Sequence, residues 1–385
     1  MLINDSRERL PRRAGHVLAV DFGTSTTCAV LVRADGRDRL VKDPLSGSWR
    51  WPSAVFLDGD RLLFGAAAHA RRQRDPARYL REFKRLLGAE EPVRLGPAAF
   101  SCTALVARLL AELRRTAEAA LPAGERVTRA VATVPAGYQP DDPRWTAMLD
   151  ACADAGFADV ELLPEPVAAA LGADAAPPPG TPATVLVYDF GGGTFDAALL
   201  RYGGGPGPGG GPEVLGHAAL DTCGGRDIDG ALTRWLRETR GAWLDPLLAA
   251  PDGAGLGHTL ALGDFARRLK HQLSGVTEVE DRFLPGLPAV RVTREDLERL
   301  AGDALARTVD CCRDLLRRCG VGPGEVGRVL MAGGSCRMPA VRAALAGLLR
   351  RPVTPLDDPD LAVALGAARW AADAAARGLP ADPAG

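Results

Sequence analysis

The chain has 385 residues, 46% apolar and 25% charged, with a formal net charge of −1. That length buries a large core in two or more domains, and the balanced charge argues against a nucleic-acid groove or an anionic membrane surface as the main partner. No apolar run approaches membrane-spanning length, and the opening MLINDSRERLPRRAGH has acids and arginines but no apolar core, so no signal peptide is expected and the reading is cytoplasmic. Eight cysteines (Cys28, Cys102, Cys152, Cys223, Cys311, Cys312, Cys319, Cys336) include no C-x-x-C pair and read as buried thiols. A redox or metal role for the Cys311, Cys312, Cys319 cluster competes with simple helix packing, which is the better reading.

After a tail over 1–15, HVLAVDFGTSTTCAVLV (16–32) reads as strand, turn and strand. REFKRLLG (81–88) follows, then a helix over ALVARLLAELRRTAEAAL. RAVATVPAGY (129–138) and VELLPEPVAAALG (160–172) close a first lobe over 16–174. The Pro/Gly-rich AAPPPGTPA (175–183) reads as a hinge linker, and a second lobe spans 184–356. It opens on TVLVYDFGGGTFDAALL and runs through GGGPGPGGGP (203–212), read as a hairpin loop. GGRDIDGAL (224–232), RRLKHQLSG (267–275), the helix LERLAGDALARTVDCCRDLLRRC and VLMAGGSCRMPAVRAAL (329–345) follow. A helix within 357–377 returns to the first lobe, leaving a tail at 378–385.

The informative feature is a repeat. Asp21 and Asp189 stand 168 positions apart, each at the end of an apolar strand that turns through glycine into another apolar strand. Such a turn sets a carboxylate beside free backbone N–H groups and hydroxyls, which can hold phosphate oxygens while the carboxylate holds hydrated Mg²⁺. In the first copy the turn residues are Gly23, Thr24, Ser25 and Thr26; in the second they are Gly191, Gly192, Gly193 and Thr194, with Asp196 as a further acid. A side chain at Gly192 is expected to collide with the phosphates. One such hairpin alone would be structural; two in register suggest a clamp closing on a polyphosphate from both sides. Neither is a Walker A loop, since G-x-x-x-x-G-K-[ST] is absent. The alternation of strands and helices in both halves gives an α/β fold.

These two hairpins resemble the phosphate motifs of the actin, hexokinase and heat-shock-chaperone superfamily, and VLMAGGSCRMPAVRAAL is similar to its adenosine motif. RAVATVPAGY, LLPEPVAAALG, GGRDIDGAL and REFKRLLG resemble V-T-V-P-A-Y-F, N-E-P-T-A-A-A, G-G-E-D-F-D and A-K-R-L-I-G of the seventy-kilodalton heat-shock (DnaK-type) chaperones. The resemblance covers about 16–375. It implies an actin-like ATPase fold, with two lobes each built on a mixed sheet flanked by helices in a duplicated ribonuclease H-like motif, and a nucleotide cleft between them. It implies ATP or ADP with Mg²⁺ as cofactors, with K⁺ as a candidate second cation.

Carried onto this sequence, the resemblance puts Lys84 near the γ-phosphate and the attacking water, with Thr24 and Thr194 positioning phosphate or water. Asp21, Asp189 and Glu165 would hold Mg²⁺ mostly through water, and Asp196 a nearby cation or water. Glu165 also suits the first turn of a helix as a dipole partner. Gly224, Gly225, Lys270, His271, Ser274, Gly333, Gly334, Ser335, Arg337 and Asp360 would complete the nucleotide site. Lys270 and Ser274 read equally as the polar side of an amphipathic helix. Only three lysines occur, Lys42, Lys84 and Lys270, so two of them fall on positions marked for nucleotide work.

The chain departs from the family pattern at Thr26 (a Tyr there), His271 (an adenine-stacking Arg) and Arg267 (an acid near the ribose). It stops at RGLPADPAG without a β-rich peptide-binding half, so the expectation is a slowly hydrolysing chaperone-like switch. Its client or partner protein would act in trans, with an exchange or co-chaperone-like factor and neither nucleic acid nor membrane. A nucleotide-gated scaffold or filament former is the alternative. A metabolite kinase is disfavoured because no acid is placed as a sugar base.

Overall fold

The computed structural model describes residues 15–173, 183–203, 212–251, 253–353, 356 and 358–377. The hinge expected at 175–183, the centre of the loop at 203–212 and the two terminal tails lie almost wholly outside these residues.

The first lobe is built on β1 (His16–Phe22), β2 (Thr26–Val32), β3 (Asp38–Leu40) and β4 (Trp51–Pro52). Beside them lie a small sheet of β5 (Ala54–Asp58), β6 (Arg61–Phe64) and β7 (Tyr79–Arg81), and the hairpin β8 (Val93–Leu95) and β9 (Ala98–Phe100). β10 (Val127–Val134) and β11 (Asp159–Pro164) complete the main sheet in the order β11-β10-β1-β2-β3, with β4 on β2. Val17–Val20 of β1 are all buried, as a central strand covered on both faces requires. The helices are α1 (Gly65–Ala70), α2 (Cys102–Glu118), α3 (Pro143–Asp154) and α4 (Glu165–Gly172). α2 begins where the Ser101 hydroxyl accepts the Ala104 N–H at 3.1 Å, and it buries Leu105, Leu109 and Leu113 at helical spacing.

The second lobe repeats the plan. β12 (Ala183–Phe190), β13 (Phe195–Tyr202) and β14 (Glu213–Leu220) form a meander, followed by α5 (Gly225–Leu248), α6 (Ala254–Gly275) and the hairpin β15 (Glu278–Asp281) and β16 (Val290–Thr293). α7 (Arg294–Arg318), β17 (Val326–Ala332), α8 (Pro339–Leu349) and α9 (Ala362–Arg377) end the described chain. The sheet order is β14-β13-β12-β17.

In each lobe the first strand pairs antiparallel with the second and parallel with a later strand on its other side. The registers match: Asp21 faces Cys28 and Phe22 faces Thr27, while Asp189 faces Asp196 and Phe190 faces Phe195. The repeat read from sequence is therefore a repeat of structure, with Cys28 standing where the second copy has Asp196.

Each lobe has its own apolar core. A third core joins them below the cleft, where Val17 and Ala19 of β1 and Val185 and Val187 of β12 meet the alanines of α4 and α9. The two helices cross closely, α4 reaching across to β12, β13 and β17 and α9 packing on β1, β2 and β10. Six of the eight thiols are buried, and none is in a disulfide. Cys312 lies on the buried face of α7, and Cys319 Sγ packs toward the Leu215 carbonyl at 3.6 Å, so helix packing accounts for both. Among the described residues no helix is long and apolar enough to cross a membrane.

Candidate functional site

The two DFG hairpins meet tip to tip across a cavity of about 610 Å³. Asp21, Gly23, Thr24, Ser25 and Thr26 line it from the first lobe, and Asp189, Gly191, Gly192 and Thr194 from the second. The first turn is braced by Ser53, whose hydroxyl donates to the Gly23 carbonyl at 2.7 Å and whose N–H donates to the Ser25 carbonyl at 3.0 Å. The tips touch directly: a Cβ added to Gly192 would lie 1.9 Å from Ser25 Oγ. The neighbour that demands glycine there is thus the opposite hairpin.

Lys84 and Glu165 lie on the cavity floor, with Nζ and Oε1 2.6 Å apart and both side chains buried. Lys84 rides on a 3₁₀ turn, Phe83–Leu86, and Glu165 opens α4. Glu165 is a first-turn acid of its helix and also lines the cavity. Burial works to lower the Lys84 pKa, but the carboxylates of Glu165 and Asp21 outweigh it and raise it, so the ammonium stays charged.

The carboxylates respond in the opposite sense. Burial, reinforced by Glu165, pushes Asp21 up to about 7, although Lys84 and a hydrogen bond from Thr133 Oγ1 at 3.2 Å pull it down. Burial and the same neighbour push Asp196 up to about 7 and Asp189 well above the carboxylate range. Asp196 Oδ1 is buried without a hydrogen-bond partner. Several acids crowd around one lysine, which is a local excess of negative charge that a cation would relieve. Among the described residues no three His, Cys, Asp or Glu side chains converge as a ready-made metal cage.

The far end of the cavity is lined by Gly225, Lys270, His271 and Ser274 on one side and by Gly333, Gly334, Ser335, Arg337 and Asp360 on the other. Gly333 has φ +81°, and a Cβ there would lie 2.4 Å from Asp189 Oδ1, so this motif packs directly on the second hairpin. Several expected ligands have partners of their own. Lys270 Nζ pairs with Asp229 Oδ1 at 2.7 Å and donates to the Gly225 carbonyl at 2.9 Å. The Ser274 hydroxyl donates a hydrogen bond to the Lys270 carbonyl at 3.1 Å. Arg337 grips Asp358 and Asp360, each at 2.9 Å, alongside Arg50.

Three expected site residues stand behind the lining. Gly193 and Gly224 pack on each other, since a Cβ on Gly224 would come within 2.6 Å of the Gly193 backbone, so they join the second hairpin to the start of α5. Asp196 lies across the strand pair from Asp189 and shapes its ionisation from there.

The cavity also takes in residues that the sequence did not single out: Arg50, His69, Tyr79, Glu82, Arg226 and Asp229. Glu82 was the most findable, being two residues from Lys84. Asp229 lies within GGRDIDGAL, but nothing in the local sequence marks it above Asp227. For Arg50, His69 and Tyr79 the sequence carries no signal.

Comparison with known proteins agrees with this geometry. Residues 92–374 match the family model described as Hsp70 protein. The Chaperone protein HscA homolog of Azotobacter vinelandii is 35% identical over 398 aligned positions, covering 96% of this chain and 59% of that protein. The Chaperone protein HscA homolog of Pseudomonas fluorescens is 33% identical over 390 positions, covering 93% of this chain and 58% of that protein. The chain thus spans a little under three fifths of the length of these relatives. With the duplicated hairpins, the two-lobed α/β architecture and the family match agreeing over most of its length, the chain belongs to the Hsp70 family.

Proposed function

We propose that the chain binds ATP in this cleft and hydrolyses it slowly, acting as a chaperone-like switch whose lobe closure is read by a partner protein. The observation that carries the reading is the meeting of two in-register hairpins over a floor holding Lys84, Glu165 and the buried acids Asp21 and Asp189. Backbone N–H groups and the hydroxyls of Thr24, Ser25 and Thr194 would bind phosphate oxygens from two sides. Asp21, Asp189 and Glu165 would hold Mg²⁺ mostly through water, and the ion would neutralise phosphate charge. Lys84 stays charged and dehydrated, ready to stabilise the charge that develops on the transferring phosphoryl group.

His271 on the exposed rim offers a flat ring to a base. The HscA homologues are named chaperones, and we extend to this chain only the general kind of partner such proteins use, a co-chaperone or exchange factor that senses the nucleotide state.

The test is Lys84→Ala, assayed by single-turnover hydrolysis and by ATP affinity in parallel. Hydrolysis should fall by a factor on the order of 10² or more, as for loss of a preorganised charge in an active site, while affinity changes little. Turnover like that of the unmodified protein would overturn the reading. Because the substitution leaves Glu165 buried without its cation, Lys84→Gln is run beside it, and thermal unfolding confirms that both variants are folded.

A further inference from the structure

Arg226 in GGRDIDGAL and Arg267 in RRLKHQLSG, the latter one of the departures from the family pattern, sit on different helices of the second lobe and reach the same carboxylate of the first. Arg226 Nη1 donates to Glu82 Oε2 at 3.0 Å, and Arg267 Nη2 donates to Glu82 Oε1 at 2.9 Å. Arg267 also holds Asp229 at 3.3 Å, which in turn holds Lys270. The Glu82 side chain is only 2% exposed, with Arg267 a quarter exposed and Arg226 about half exposed, so the carboxylate end of the contact is buried and the arginines reach it from the solvent side. With acids at 226 and 267, three like charges would converge at this point. The two arginines and the glutamate make sense as a set.

Glu82 is also unusual in its backbone. Its φ of 60° makes it one of two non-glycine residues with positive φ among the described residues, and such strain persists where the surroundings enforce it. The enforcing contacts run into the phosphate hairpin. The Glu82 N–H donates to the Ser53 carbonyl at 2.8 Å, Ser53 braces Gly23 and Ser25, and Ser25 Oγ reaches Glu82 Oε1 at 3.4 Å. The next residue begins the 3₁₀ turn that carries Lys84.

We propose that Glu82 is a positioning residue. Gripped by Arg226 and Arg267 when the lobes close, it fixes the turn that carries Lys84, so that bound ATP is hydrolysed efficiently only in the closed cleft. The inference rests on the ATPase reading and adds to it a link between the position of the second lobe and the catalytic lysine of the first.

The experiment is a double-mutant cycle on the full chain with Glu82→Gln, Arg226→Gln and Arg267→Gln. It reads the single-turnover rate of bound ATP, ATP affinity and ADP release separately. Each single variant should slow hydrolysis of bound ATP by about tenfold, the scale of a displaced catalytic group, with the loss in rate rather than in affinity, and ADP release should quicken. Glu82→Gln combined with Arg226→Gln should be no slower than Glu82→Gln alone, because both remove one contact. Additive losses, or Glu82→Gln hydrolysing at the unmodified rate, would overturn the proposal. Arg226 is half exposed and its variant is expected to fold even where Glu82→Gln loses stability, so the cycle can be read from the arginine side. A chain that binds ATP but never turns it over sinks the ATPase reading and the hydrolytic role together. ADP release unchanged in every variant sinks the clasp itself, whatever the turnover.

Discussion

At the scale of single residues, the cleft shows how one side chain answers to neighbours from both lobes. Gly192 is the clearest case. Beside the expectation that a Cβ there would strike phosphate stands an obstacle within the protein itself, Ser25 Oγ at 1.9 Å and Ser25 Cβ at 2.8 Å. Gly192→Val should therefore force the hairpin tips apart even without nucleotide, and the clamp should lose its grip because its halves no longer meet. ATP affinity measured by titration calorimetry is expected to fall at least tenfold, about 1.4 kcal/mol. Because the Ser25 hydroxyl is itself assigned to phosphate, Ser25→Gly is measured alone and in combination, and the loss caused by Gly192→Val should be smaller in the Ser25→Gly background than in the unmodified chain, a partial recovery that comes from clearing the obstacle. If collision with the phosphates were the whole cause, Ser25→Gly would recover nothing.

Individual elements differ in how fully their own sequence specifies them. α7 is specified locally at both ends. Thr293 and Asp296 form a reciprocal capping box, with the Thr293 hydroxyl accepting the Asp296 N–H at 3.2 Å, and Arg317 and Arg318 lie in the last turn, where cations suit the helix dipole. Thr293→Ala should cost about 1 kcal/mol, seen as a lower urea midpoint for the second lobe, with the single-turnover rate unchanged because the cap lies outside the cleft lining. The hairpins β1–β2 and β12–β13 were equally legible, because apolar strands, an aspartate and glycine turns recur at a fixed offset and each strand is buried on both faces. The short strands β3 to β9 were not. They are two to five residues long, too short for an alternation to stand out, and while β5–β6 and β8–β9 are local hairpins, β4 and β7 are strands through partners more distant in the chain, β2 and β5. The 3₁₀ turn bearing Lys84 was legible as a motif, but the left-handed Glu82 at its start was not. Its conformation is enforced by Ser53 and by two arginines of the other lobe, and no local propensity encodes those contacts.

Taken whole, the molecule concentrates buried carboxylates where the two lobes meet, and this ties its stability to pH. Unfolded aspartates titrate near 3.9, about three units below the value near 7 to which burial and Glu165 push Asp21 and Asp196. Between those limits the folded chain keeps protons that the unfolded chain has released, so these groups contribute stability that declines as pH rises through about 7. His69, whose pKa burial lowers, works in the opposite sense below its ordinary range, so the contribution must be isolated by comparison. Asp21→Asn, which cannot ionise, supplies it. Melting temperatures of the unmodified chain and the variant should diverge from pH 5.5 to 8.5, the unmodified chain losing ground at the alkaline end. Adding Mg²⁺ and ADP should narrow that gap, because a cation shared between the acids and the phosphates favours the ionised carboxylate and stabilises the form that binds it. A gap that stays constant across the pH range would mean that Asp21 is ionised throughout, and the cleft would then hold its charge by some other means.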